Sequence, residues 1–509
     1  MPPPAWVAIA VEDLANVAQI HCVATLPIRA SQPSSAAMDR PRAIQWPAGE
    51  APNIAESADP WRTLPLADLD VVFSLGTRPT GNLPDTAPAW GIWGVSIDQD
   101  PHLARAATVA GDETATLWVD RIDDATGLDA PLEADPTARR LRESAIRVHR
   151  LSPTTTRNRL LAKAARLPAR ALGDLARGDR QSASGRPETR DTSTRDSSSD
   201  RDGTSTLAHA PSSTPRWTWL TLAARGVRTG VRRALHTNGW YLGFQIGPSM
   251  DADLQPESFQ PILPPKDRFW ADPFPVVLSP ERALIYVEEW PDRLGRGRLA
   301  ALEMHRNGSW QRLGTVMEEP IHLSHPYLFT WQGARYLIPE TSARSTVELY
   351  RQQGDDPLDW KLQDVWMQDR RVVDVTVQMI GDRWWLLANI ANEGISAHDE
   401  LHAFHADTPL GPWTEHAANP IVSDPRCARP AGQLYYHDQR LIRPGQDCGQ
   451  RYGRAITLCE VLELTPTRYV ERIIRRIGPA PFGANRLHTL NTDDWLRVID
   501  LHRDRRRFL

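Results

Sequence analysis

An α/β N-terminal part, a disordered linker and a C-terminal all-β propeller of five blades form the multidomain architecture that this sequence predicts. Three observations carry it. From about residue 240 onward one plan recurs five times: a polar residue, an apolar strand, a turn and a second strand. A period near fifty residues made of short strands suits a propeller blade of four strands. Residues 177–215 are dominated by Ser, Thr, Asp and Arg and offer almost nothing to bury, which marks a disordered segment. Before residue 170, short apolar strands ending at Gly or Asp precede a run with helical spacing.

The bulk properties narrow the field. At 509 residues the chain exceeds one ordinary domain. A net charge of -4 with 24% charged residues gives no whole-chain argument for nucleic acid as a partner. The N-terminus lacks a basic n-region, and Glu12 and Asp13 interrupt its apolar run, so no signal peptide is expected. No stretch approaches the roughly 18 apolar residues of a membrane span. The four cysteines, Cys22, Cys427, Cys448 and Cys459, have neither metal-ligand spacing nor disulfide-scaffold density. A cytoplasmic setting is the expectation.

Taken in order, residues 1–172 read as the α/β domain. Its strands are LDVVFSL (69–75), followed by Gly76, and WGIWGVSI (90–97), followed by Asp98. The segment 156–172 has helical spacing, and Pro168 is expected to break or kink it. The linker is assigned to 173–215. Residues 216–239 follow as a basic amphipathic helix, whose arginines suit a peripheral contact with anionic lipid headgroups. The alternative is a helix packed under the next domain with its basic face exposed. The propeller is assigned to 240–509.

The five repeats lead with Asp272, His325, Asp374, Arg429 and His488, spaced 53, 49, 55 and 59 residues apart. In a propeller the innermost strand of each blade lines the central channel, so these five side chains are expected to converge on one funnel. Asp272 lies in RFWADPFPVVL, between aromatics and prolines. A buried, unpaired carboxylate costs several kcal/mol, so Asp272 must be paired, solvated at a strand end, or functional. A start at a polar channel meets that need. The alternative is that all five only close the blades with hydrogen bonds.

The motifs ADPF, VEEW, HLSHPYLF, YLIPE, VVD, GPWTEH, ARPAG, RPGQDC, RYG and HTLN occur in that order over roughly 240–505. This series resembles the sugar-active propeller domain at the N-terminus of plant glucosamine inositolphosphorylceramide transferases and of many bacterial proteins. More distantly, the ADPF and VVD strands resemble the five-bladed propellers of glycoside hydrolase family 43. The strand LDVVFSLG and the following AWGIWGVSI are similar to degenerate formyltransferase-like domains found ahead of this propeller. The matching stretch WGVSIDQD has no His at the expected place and only Asp98 and Asp100 as candidates. The resemblance therefore implies a scaffold or acceptor-binding role for that domain.

The family 43 resemblance implies Asp272 as catalytic base and Asp374 as the residue that tunes the acid. Where those hydrolases place the acid Glu, this chain has Arg429, and a guanidinium cannot give up its proton at any relevant pH. Glu340 in YLIPE, or Glu288 and Glu289 in VEEW, can stand in; Glu340 is assigned the catalytic role and Glu289 a binding one. Arginine suits phosphate, so Arg429, Arg443 and Arg454, with Gln446, are expected to bind substrate alongside His325 and His488. Ordinary salt bridges are the alternative for the arginines. Trp270, beside Asp272, is the expected sugar-stacking aromatic. No local motif supports a metal site, and no cofactor is expected. The leading expectation is a glycosyltransferase-like enzyme of surface polysaccharide or glycolipid biosynthesis. Its partners would be a sugar or nucleotide-sugar donor and a glycan or glycolipid acceptor. A family 43-like glycoside hydrolase and a non-catalytic glycan-binding propeller are the alternatives.

Overall fold

The computed structural model describes residues 92–97, 113–122, 139–177, 217–237, 239–247, 254–392 and 394–506, with short pieces at 10, 72–74, 107–108 and 110. The predicted linker from 178 onward, and Asp98 and Asp100, lie outside the described residues.

In the N-terminal part, β1 (Val72–Ser74) pairs in parallel with β2 (Ile92–Ile97). β3 (Thr114–Ile122) and β4 (Arg139–Arg147) extend the sheet antiparallel in the order β1-β2-β3-β4. Helix α1 (Pro153–Ala176) covers it. Its buried residues Leu160, Ala164, Leu167 and Ala171 recur at helical spacing and pack on Leu117, Val119 and Ile146. Ser152 caps the start by accepting the Thr155 amide at 3.1 Å, with Pro153 at the first turn, where its missing N–H costs nothing. Pro168 does not end the helix, which runs past it to Ala176 and into the segment assigned to the linker. Burial of Leu167 and Ala171 on either side offsets a proline penalty of about 3 kcal/mol. Helix α2 (Trp217–Leu235) occupies the predicted basic helix. It buries Leu222, exposes Leu220, Val227 and Val231, and donates from Arg225 to the Thr108 carbonyl at 2.8 Å. Among the described residues no helix is long and apolar enough to cross a membrane.

The C-terminal part is all β. After β5 (His236–Thr237) come β6 (Trp240–Ile246) and β7 (Gln260–Ile262). Blade 1 is β8 (Arg268–Ser279), β9 (Arg282–Pro291), β10 (Arg298–His305) and β11 (Trp310–Met317). Blade 2 is β12 (Ser324–Trp331), β13 (Ala334–Thr341), β14 (Thr346–Gln352) and β15 (Trp360–Met367). Blade 3 is β16 (Val372–Ile380), β17 (Arg383–Ile390), β18 (Leu401–Ala406) and β19 (Thr414–Glu415). Blade 4 is β20 (Arg429–Pro430), β21 (Tyr435–His437), β22 (Arg440–Asp447), β23 (Ala455–Leu464) and β24 (Tyr469–Ile477). Blade 5 joins the two ends of the propeller: β25 (Leu490–Asp493) and β26 (Leu496–His502) continue into β6 and β7 in one antiparallel sheet. A final strand, β27 (Arg505–Arg506), pairs with β5.

The blades form a closed ring. The His325 amide on blade 2 donates to Asp272 on blade 1 at 3.1 Å. Arg429 on blade 4 binds Asp374 on blade 3. The Leu490 amide on blade 5 donates to the Ala431 carbonyl at 2.8 Å, and the Thr489 hydroxyl returns to Asp272 at 3.0 Å. His325 Nδ1 lies 3.7 Å from Asp374 and completes the circuit. Apolar residues fill the seams: Trp270, Leu242 and Trp495 sit between blades 1 and 5, and Tyr327, Val377 and Leu386 between blades 2 and 3.

Candidate functional site at the centre of the propeller

Three of the five repeat leaders share an uncommon backbone. Asp272, His325 and Asp374 have φ of 49°, 42° and 54°, and each sits where the pairing of its inner strand slips. A β-bulge re-aims a side chain out of the strand's alternation, and left-handed φ is tolerated best by Asp, Asn and His among residues with a side chain. Holding such a conformation costs about 1–3 kcal/mol per residue. The repeat therefore turns the same position of blades 1, 2 and 3 toward the axis.

Around the axis the groups divide into two clusters. In the first, Asp272 accepts the His325 amide and the Thr489 hydroxyl, and His488 Nε2 lies 3.5 Å away. Asp500 accepts the amides of His488 and Thr489, both at 2.9 Å, and binds His488 Nδ1. The Asp272 amide donates to Asp500 at 3.2 Å. Burial alone would depress the His488 pKa, but Asp500 and then Asp272 outweigh it and raise the value above 6.5. His488 also stacks on Trp240, with ring centroids 4.3 Å apart.

A raised histidine pKa has a definite consequence for stability. The contribution is fully present below pH 6.5, the ordinary value, and is lost as pH rises through the folded value. Thermal unfolding followed from about pH 6 to pH 9 is expected to show a falling midpoint. His488→Gln is expected to lower the midpoint at pH 6 and remove that fall. Parallel curves for the two proteins would assign the titration to another group.

In the second cluster, Arg429 grips Asp374 through Nε at 2.5 Å and Nη2 at 3.1 Å. Gln446 donates to the same carboxylate at 2.9 Å and to the Pro430 carbonyl at 2.8 Å. Burial works against the charged carboxylate, yet Arg429 and His325 hold Asp374 well below the usual range. Glu340 goes the other way. Burial and the adjacent Asp374 charge push it up to about 8, against the pull of Arg429. Its Oε1 accepts from Ser342 at 2.7 Å, while Oε2 is buried, finds no donor and lies 3.8 Å from Arg429. At neutral pH the pair is therefore one carboxylate and one carboxylic acid.

Arg429 does more than face Asp374. Its Nη1 meets His398 Nδ1 at 2.9 Å, and its guanidinium lies 4.9 Å above the Tyr452 ring. The fork that was expected to hold phosphate is committed to a side chain of the protein itself.

Asp272, His325, Glu340, Asp374, Arg429, Gln446 and His488 thus come together at the axis. Four other expected site residues do not. Trp270 is 1% exposed and donates from Nε1 to Glu289 at 3.1 Å, within the seam of blades 1 and 5. Glu289 faces Trp270 across β8 and β9 and is clasped by Arg268, Arg298 and Arg312. Burial opposes its charge, but hydrogen bonds from Arg312, Trp270 and Arg298 bring it down to about 2. Alternation along β9 sends its neighbour Glu288 to the opposite side. There the charges of Asp272 and Glu340 add to burial and raise Glu288 well above the usual carboxyl range. Arg443 is buried within blade 4, donating to Glu471 and to the Cys427 carbonyl. Arg454 pairs with Glu113 of the N-terminal sheet.

Sequence reasoning passed over Asp500, Thr489 and His398. Asp500 sits in the second strand of its repeat, and His398 lies between β17 and β18, where no repeat signal points. Two triads within reach of a cation, Asp272–His488–Asp500 and Cys427–Cys459–Glu471, occur among the described residues. In the first, both imidazole nitrogens already face carboxylates, an ion-pair arrangement that leaves no nitrogen lone pair for a metal when the ring is protonated.

Residues 264–480 match the family model described as glucosamine inositolphosphorylceramide transferase 1, N-terminal. The chain is 32% identical over 246 residues to glucosamine inositolphosphorylceramide transferase 1 of Oryza sativa subsp. japonica, covering 46% of this chain and 33% of the relative. It is 31% identical over 205 residues to the protein of the same name from Arabidopsis thaliana, covering 40% and 27%. The chain thus spans about a third of the length of the curated relatives it matches. Among solved structures, it is similar to the family 117 glycoside hydrolase Zg3597 of Zobellia galactanivorans, at 12% identity and a TM-score of 0.34, over 47% of this chain and 76% of that one. An exo-1,5-α-L-arabinanase from a bovine ruminal metagenomic library matches at 12% identity and a TM-score of 0.34, over 47% and 96%. The propeller of this chain resembles the N-terminal domain of glucosamine inositolphosphorylceramide transferase 1.

Proposed function

We propose that the funnel is a carbohydrate site and that the protein transfers a sugar in the biosynthesis of a glycolipid or surface polysaccharide. The observation that carries this reading is the meeting of three carboxyl groups at the axis: Asp272, Asp374 held by Arg429 and Gln446, and Glu340, whose buried Oε2 lies 3.8 Å from Arg429 without a donor. Asp374 is held low and Glu340 raised. Paired carboxyl groups of opposite protonation are what acid–base chemistry at a glycosidic oxygen requires. The relatives carry the name glucosamine inositolphosphorylceramide transferase 1. Asp272 accepts about four donors when ionised and meets three here, so one sugar or acceptor hydroxyl can still bind it. In the proposed step the acceptor hydroxyl gives its proton toward Asp272 as its oxygen bonds to the anomeric carbon. The leaving oxygen takes the Glu340 proton as its bond to that carbon breaks.

Hydrolysis is the second reading, and Glu340 serves it as well as it serves transfer. The acid that Arg429 cannot supply is present on blade 2, and water can replace the acceptor hydroxyl. The two readings separate in one experiment. Wild-type protein and Asp272→Asn are incubated with labelled nucleotide sugars or glycans, with and without a glycolipid acceptor. Transfer that falls about 10²–10⁴-fold in the variant is the expected result. Free sugar released without acceptor moves the assignment to a hydrolase. Transfer by Asp272→Asn at the wild-type rate removes Asp272 from the base role. Absence of both transfer and release sinks both readings, and saturable binding without turnover leaves a glycan-recognising funnel.

A further inference from the structure

The segment 395–400, between β17 and β18, brings His398 to Arg429. Its far side belongs to another part of the chain. Arg170 of α1 donates to both oxygens of Glu400, at 2.7 and 3.1 Å. Lys163, fully buried on the same helix, lies 3.8 Å from Glu400 and donates to the Ala145 carbonyl at 2.6 Å and the Ser423 hydroxyl at 2.9 Å. Ser423 in turn donates to Glu400 at 3.2 Å. The Ala145 amide of β4 donates to the Ser423 carbonyl at 2.9 Å. At the start of the segment Gly394 has φ of 74°, and a Cβ there would stand 2.7 Å from that of Ala162 on α1. Only a residue without a side chain lets the loop lie this close to the helix.

We infer that the N-terminal sheet and helix are a working part of the funnel: Lys163 and Arg170 are positioning residues that hold Glu400, and through it fix His398 against Arg429. This holds whichever sugar reaction the funnel performs. Because Nδ1 of His398 accepts from Arg429, the ring proton belongs on Nε2, and the imidazole stays neutral. The charges that face it agree. Besides burial, Arg429, Arg147 and Arg159 drive its pKa well below the ordinary value against the opposing pull of Asp374, and Tyr452 packs on the ring. Arg147 and Arg159 come from β4 and α1, so the N-terminal part sets this histidine's charge as well as its place. A neutral His398 leaves Arg429 as the cation opposite Asp374 and presents an N–H donor beside the acid pair.

The test reads the imidazole directly. The full chain is labelled with ¹⁵N-histidine, and the His398 ring signals are identified by their loss in His398→Asn. In the wild type they are expected to report the Nε2–H tautomer throughout about pH 5.5–8. In Arg170→Leu, where Glu400 is freed and His398 can leave Arg429, the His398 midpoint is expected to rise toward the ordinary imidazole value of about 6.5, while Arg170→Lys restores the silent ring. If Arg170→Leu does not fold, Glu400→Gln carries the same expectation. A ring that stays neutral in a folded clamp variant overturns the inference. So does an equal response in Arg142→Leu, which opens the contacts of Arg142 with Asp174 and the Pro420 carbonyl but leaves Glu400 alone.

Discussion

Arg429→Met is expected to cost about 3–5 kcal/mol of unfolding free energy at pH 7, the range for removing one partner of a buried ion pair. Asp374 then keeps its charge without a counterion beside the buried Glu340. Replacing an ion pair by apolar groups on both sides can be neutral, so Arg429→Met combined with Asp374→Leu is expected to recover much of the loss. The pH dependence separates this account from a general packing defect. In the wild type the Asp374 pKa is depressed, so the stabilisation is present above the ordinary carboxylate value of 3.8 and is lost as pH falls through the lower folded value. In Arg429→Met the Asp374 pKa is no longer held down, so its penalty relaxes as acid protonates the group. The gap between the two proteins should therefore narrow below about pH 5. Urea unfolding at pH 7 and pH 4.5 measures it, and a constant gap would assign the loss to packing.

Glu340→Gln is expected to reduce turnover by about 10²–10⁴-fold, the usual worth of a positioned proton donor. Its pH profile is the more discriminating reading. Glu340 is raised to about 8, so it carries its proton through the neutral range and loses it as pH rises past that value. Wild-type turnover should decline on this alkaline limb, and the residual activity of Glu340→Gln should lack it. A shared alkaline limb in both proteins would transfer the acid role elsewhere; Glu288 is the neighbour placed to take it, being raised by burial and by Asp272 and Glu340. Because the same side chain faces Arg429 and Asp374, binding of a non-hydrolysed sugar ligand should accompany the rate measurement.

The repeat leaders were readable because a spacing near fifty residues survives divergence of the strands between them. Direction within a strand was not. Trp270 and Glu289 share one face of blade 1; plain alternation would put Asp272, two residues after Trp270, on that face too, and nothing in FWADPF announces the bulge that turns it away. The arginines of the fourth repeat failed for another reason. Arg429, Arg443 and Arg454 are chemically alike in the sequence, but their partners Asp374, Glu471 and Glu113 come from a neighbouring blade, the same blade and the N-terminal sheet. Which carboxylate an arginine meets is a property of the tertiary arrangement. His398 was hidden for the same cause, because its place depends on α1, more than two hundred residues earlier.

The shared fifth blade has a consequence for the order in which this molecule can come into being. Strand β6 leaves the ribosome early and finds its partner β26 only after residues 496–502 have been made. Until then the hairpin of β6 and β7 has an open edge, and the ring has a gap between blades 4 and 1. The matched segment 264–480 lacks both halves of that blade and would present two bare flanks. Asp500 and His488 lie on the closing side, and Asp272 on the first blade to be completed. The Asp272 cluster is therefore joined by the last step of assembly, so a chain cut short before residue 500 would hold Asp272 and never gather His488 and Asp500 around it.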